Sequence, residues 1–148
     1  MTDGDAEAGI AAARSRRESR ERAVELAYEA TVRDLNVDQL LETLVLPAPP
    51  FAVELLRRAE AKRNQADELI AAKASGWTLD RMPVIDLIVM RVAVAELLDG
   101  NTPPGVVLAE AVELAGRYST DESSRFVNGV LAAIATELAE DDRNESLD

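Results

Sequence analysis

The chain has 148 residues, a length that suits one compact domain, and 47% of it is apolar, enough to bury a core. Aromatics are only 3% and there is no Cys and no His, which excludes disulfides, thiolate metal sites, an imidazole base and imidazole zinc ligation. The net charge of −12, taken as a sum, argues against a nucleic-acid binder, because phosphate contacts need Lys and Arg.

Residues 1–13 are small and acidic, with Asp3, Asp5 and Glu7, and are expected to be disordered. They hold no hydrophobic signal core. No apolar run in the chain approaches the ~20 residues that span a bilayer. A cytoplasmic location and no membrane partner are therefore expected. From Arg16 to about Val32, Ala23, Leu26, Ala27 and Ala30 recur at helical spacing and give one apolar stripe. The same segment opens with a local basic run: Arg14, Arg16, Arg17, Arg20 and Arg22 against Glu18 and Glu21. Asn36 or Asp38 fits the cap of a short helix through Leu41 and Leu44. Pro47-Ala48-Pro49-Pro50 then stops it, because proline cannot continue a helix.

A long helix is expected from about Phe51 to Ala74, with Phe51 and Leu55 on its buried side, polar from Arg57 to Gln65 and stopped at Ser75-Gly76. Thr78 fits the cap of a turn holding Leu79, Asp80 and Arg81, and Pro83 the first turn of the next helix. That helix, to about Leu98, is apolar nearly all round (Val84, Ile85, Ile88, Val89, Met90, Val92, Val94, Leu97) and should be the most buried one. Asp99-Gly100-Asn101 breaks it. After Pro103-Pro104, Val107, Leu108, Ala111, Val112 and Ala115 mark another helix. The last begins at Thr120 or Asp121, with Phe126, Val127, Val130, Leu131, Ile134 and Leu138 inside. The fold class is all-α: a bundle of about six to seven helices, with an N-terminal and a C-terminal group packed together. The helical domain is expected over 14–139, and an acidic disordered tail over 140–148.

Three stretches together resemble the NusB family of transcription antitermination factors. One is the arginine-rich opening Arg16-Arg17-Glu18-Ser19-Arg20-Glu21-Arg22-Ala23-Val24-Glu25-Leu26-Ala27-Tyr28. The second is Trp77-Thr78-Leu79-Asp80-Arg81-Met82-Pro83-Val84-Ile85-Asp86, followed by Met90-Arg91-Val92-Ala93 and Glu96-Leu97. The third is Glu110-Ala111-Val112-Glu113-Leu114-Ala115, then Ser119-Thr120-Asp121-Glu122-Ser123, then Phe126-Val127-Asn128-Gly129-Val130-Leu131, the most specific block. The resemblance implies an all-α fold that binds the boxA element of nascent ribosomal RNA together with NusE, a small-subunit ribosomal protein. Within an RNA polymerase antitermination complex, the pair promotes read-through of terminators. Leu87, Ala109 and Gly116 stand where the family often has a basic residue, Asn and Lys. The alternative is a divergent NusB-like interaction module or homodimer that has lost RNA binding.

The resemblance implies RNA contact by Arg16, Arg17, Arg20, Arg22, Tyr28, Arg125, Phe126 and Asn128. Arg16 and Arg20 lie four apart on one helical face, and Arg forks bond phosphate at two points. The same residues also fit a solvated helix start with an Arg17–Glu21 pair. Phe126 and Tyr28 equally fit the core, and Asn128 beside Gly129 fits close helix packing. Asp80, Asp86 and Glu122 match acidic positions near the protein partner, where carboxylates would orient a basic ribosomal protein. Helix capping is their plain alternative. No Gly-rich phosphate loop, nucleophile motif or ligand cluster appears, so no enzyme activity, metal or cofactor is expected.

Overall fold

The computed structural model describes residues 2–147. Among them are seven α-helices and a 3-10 turn, with no strand. In order they are α1 Asp3–Arg33, α2 Val37–Thr43, α3 Pro50–Ala61, α4 Arg63–Lys73, the 3-10 turn Leu79–Arg81, α5 Val84–Asp99, α6 Pro104–Tyr118 and α7 Asp121–Leu147. The chain divides into two compact units, with the boundary inside α3: one ends at Arg57 and the other begins at Arg58.

In the N-terminal unit α1 packs on α2. Ala23, Val24 and Leu26 of α1, Val37 and Leu40 of α2, and Ala52, Leu55 and Leu56 of α3 are buried. The chain leaves α1 through Asp34 in the left-handed region, at φ 55°, which Asp tolerates better than most residues. Asn36 then caps α2 as expected. Its side chain accepts from Gln39 N at 2.8 Å and Gln39 Oε1 accepts from Asn36 N at 2.9 Å, a reciprocal capping box.

In the C-terminal unit α5 contacts α4, α6 and α7. Ile88, Val89, Met90, Val92, Ala93, Val94 and Ala95 are all buried, as an all-round apolar helix requires. Asp67 of α4 receives Arg91 of α5 at two points, Nε to Oδ1 at 2.7 Å and Nη2 to Oδ2 at 3.0 Å. Lys73 of α4 pairs with Glu137 of α7 at 3.3 Å. The two stops expected at glycine are present: Gly76 at φ 79° after α4 and Gly100 at φ 77° after α5, a region where a Cβ is costly.

Four expectations are corrected. Residues 3–13 are helical, not disordered, while Met1 lies outside the described residues. Thr2 Oγ1 accepts from Asp5 N at 3.2 Å and Asp5 Oδ2 accepts from Thr2 N at 3.3 Å. With that box, an alanine-rich run (Ala6, Ala8, Ala11, Ala12, Ala13) propagates the helix, although every side chain from Thr2 to Glu18 is exposed. At the other end α7 runs to Leu147, since no Gly or Pro follows Gly129 to stop it. Asp148 lies outside the described residues. The helix expected from Phe51 to Ala74 is divided at Lys62, with φ −101° and ψ 10°. Ala61 to Gln65 are all exposed there, so no packing holds the turn to ideal geometry. The i→i−4 bonds Lys62 N to Arg58 O and Ala66 N to Lys62 O nevertheless persist at 2.9 and 2.8 Å. Pro83 also sits one position earlier than expected, at the N-cap of α5.

Leu131 is fully buried in α7. Leu131→Ala is expected to cost about 2–5 kcal/mol, read as a lower urea midpoint with an unchanged slope.

Candidate nucleic-acid interface

In the N-terminal unit the arginines of α1 meet a ring expected only in the core. The Arg16 and Arg20 guanidinium carbons lie 5.7 and 5.3 Å from the centroid of Phe51, at the start of α3. Their four-residue spacing brings both to one ring, and each contact contributes roughly 0.5–2 kcal/mol, more where it is desolvated. Arg20 is only 5% exposed, against the expectation of a solvent-facing RNA contact. Its apolar stem and planar head are covered, the head lying over the Phe51 ring. Arg16 is exposed and makes no ion pair with another described residue. Arg17 is exposed; Arg22 is half-buried and pairs with Glu25 at 3.3 Å, a contact open enough to water to exchange. Tyr28 is exposed and not core.

In the C-terminal unit Arg125 and Asn128 are exposed near the start of α7, and Phe126 is half-buried. Phe126 touches Trp77, with ring centroids 6.1 Å apart and planes tilted by 58°. The close-packing glycine is Gly116, not Gly129. A Cβ on Gly129 would meet nothing within 4 Å, whereas on Gly116 it would lie 2.6 Å from Ser124 Oγ. Ser124 Oγ there donates to Val112 O at 3.3 Å, joining α7 to α6.

The expected acidic trio separates. Asp80 in the 3-10 turn and Glu122 in the first turn of α7 are exposed. Asp86 is 2% exposed and cannot present a carboxylate to a partner, which corrects that assignment. Ser123 Oγ donates to Asp86 Oδ2 at 2.8 Å and lies 2.8 Å from Ser119 Oγ. Ser123 N donates to Thr120 Oγ1 at 3.1 Å, so Thr120 caps α7. Asp86 Oδ1 has no hydrogen-bond partner. Burial pushes the Asp86 carboxyl above the usual range, opposed by the hydrogen bond it accepts from Ser123 and by the nearby Ser119 hydroxyl.

Sequence reasoning did not pair Phe51 with the α1 arginines or Trp77 with Phe126. Phe51 reads as an ordinary apolar anchor of its helix. Trp77 carried a usable signal: the only Trp in the chain, directly after a helix-stopping glycine.

A family model described as the NusB family matches residues 17–136. The chain is 45% identical over 125 residues to the transcription antitermination protein NusB of Thermobifida fusca, covering 81% of this chain and 88% of that one. It is similar in structure to T. maritima NusB, with a TM-score of 0.73 and 33% identity over 82% of this chain and 91% of that one. It is also similar to a chain in the crystal structure of antitermination factors NusB and NusE in complex with dsRNA. There the TM-score is 0.71 at 26% identity, over 84% of this chain and 98% of that one.

Two outcomes are expected from the geometry. Phe51→Leu should abolish the ring-current shifts of the Arg16 and Arg20 side-chain protons in NMR spectra while helix content by circular dichroism is kept. Asp86 binds its proton more tightly in the folded chain than in the unfolded one, so its contribution to stability is full at low pH and falls as pH rises through its raised pKa. Asp86→Asn keeps an acceptor for Ser123 without a buried charge. Its melting temperature relative to the parent should therefore climb as pH is raised from about 4 towards neutrality. A constant difference would show that Asp86 does not titrate in this range.

Proposed function

This chain belongs to the NusB family, and from that premise we propose that it is a transcription antitermination factor. It binds boxA-type nascent ribosomal RNA together with NusE and promotes read-through by RNA polymerase. A relative of the same fold, bound with NusE and dsRNA, supports both partners.

The observation that carries the RNA assignment is the arginine face of α1. Arg16 is solvent-facing, without a carboxylate partner among the described residues, and oriented by Phe51. A guanidinium plane held in this way presents donors to phosphate at a small entropic cost and stacks on unpaired bases. Arg17 and Arg22 extend the cationic face and Tyr28 adds an exposed ring. On the C-terminal unit Arg125, Phe126 and Asn128 contact RNA at the start of α7. Asp80 and Glu122 are the remaining carboxylates that receive a basic ribosomal protein. The function is assembly, carried by residues 14–139, and no residue is assigned a catalytic role. RNA bound to both proteins gains effective concentration, which offsets a weak site on either one. The cytoplasm is the compartment in which we place this assembly.

Anisotropy of a labelled boxA-type RNA with NusE present tests the reading. Binding should fall steeply with salt. Arg16→Ala combined with Arg17→Ala should weaken binding and flatten the slope of log K against log salt by about 0.7 for each phosphate that is no longer neutralised. No detectable binding at low salt with NusE added would favour the divergent interaction module or dimer.

A further inference from the structure

Trp77 belongs to none of the surfaces above, yet it is the most exposed aromatic side chain of the C-terminal unit, at 50%. The backbone pins it. Gly76 turns the chain out of α4 at φ 79° and Trp77 N donates to Ala74 O at 3.0 Å. Its indole leans on Phe126 at 6.1 Å with a tilt of 58°. A tilted contact uses one edge and leaves ring face uncovered, unlike a stacked pair. Leaving a fixed indole half in water forgoes part of the free energy of burying it.

We infer that Trp77, backed by Phe126, is a stacking site for an unpaired base of the bound RNA. This deepens the RNA-binding reading and rests on it. Arg125, adjacent to Phe126 on α7, makes no ion pair with another described residue. Its guanidinium supplies a phosphate donor or a second stacking plane beside the rings. The rest of the neighbourhood argues against a site held by charge. Arg81 and Arg125 are offset by Asp80, Asp121 and Glu122, all exposed. A ligand here is gripped by ring faces, which accept any base because every base has a π-face. The contribution of Trp77 is therefore insensitive to salt, in contrast to that of the α1 arginines.

Trp77 is the only Trp in the chain, so its emission reports this site alone. The full chain is titrated with a short single-stranded boxA-type RNA, and binding is followed independently by anisotropy of a label on the RNA. Expected are quenching of Trp77 emission that saturates with the anisotropy and about tenfold weaker binding for Trp77→Leu. Trp77→Phe should recover part of that loss, and the salt slope should be unchanged in both variants. Circular dichroism melting of each variant confirms that it folds. RNA binding with unchanged emission and unchanged affinity of Trp77→Leu overturns the stacking site and leaves the RNA-binding reading standing. Emission that responds to NusE alone, with no effect of Trp77→Leu on RNA affinity, overturns it in favour of a protein contact. Absence of any anisotropy change in the parent protein at low salt with NusE added sinks both.

Discussion

The bond from Ser123 Oγ to the buried carboxylate of Asp86 organises the start of α7, which carries Arg125 and Phe126. It ties the first turn of α7 to the first turn of α5, the most buried helix of the C-terminal unit. Ser123 is held from three sides, by Asp86, Ser119 and Thr120. The next residue, Ser124, rests on Gly116 of α6, where even a methyl group would collide. Arg125 and Phe126 follow immediately, so their backbone inherits a position fixed by two helices. A carboxylate placed there is expensive, because desolvation raises its pKa and one oxygen finds no partner. Such polar clusters specify one arrangement more than they add stability. Here that arrangement sets where the Phe126 ring points.

The N-terminal unit solves the same problem with a ring in place of a carboxylate. Two guanidinium groups share Phe51, one buried and one open. Arg20 is thus covered and Arg16 open, although the sequence presents them as equivalent. In both units the residue facing outward is held by a side chain distant in sequence.

That distance explains what could and could not be read beforehand. The cap at Asn36, the stops at Gly76 and Gly100, and the buried character of α5 are local patterns, and all were legible. Burial of Asp86 depends on Ser123 and burial of Arg20 accompanies contact with Phe51, partners that periodicity cannot pair. A carboxylate between Ile85 and Leu87 looked like a surface position because nothing nearby announces its acceptor role. The break at Lys62 was illegible for another reason. Propensity favours helix throughout that stretch, and only the lack of packing around Ala61–Gln65 lets the turn distort.

The helical ends also bear on how an anionic chain holds a polyanion. Disordered acidic tails would be free to fold back on the arginines and compete with RNA. As parts of α1 and α7 they cannot. Glu7 stands nine residues from Arg16 on α1, about 14 Å at the helical rise, and Glu137 stands twelve from Arg125 on α7, about 18 Å. Both separations exceed the Debye length of about 8 Å at physiological ionic strength, so these carboxylates are screened from the arginines that share their helices. As salt is lowered the screening length grows and the acidic ends begin to repel the same RNA. Attraction and repulsion then rise together, and the net salt dependence is shallower than a count of arginines implies. A stacking contribution keeps its size throughout, so its share of the binding energy increases as the ionic terms are screened.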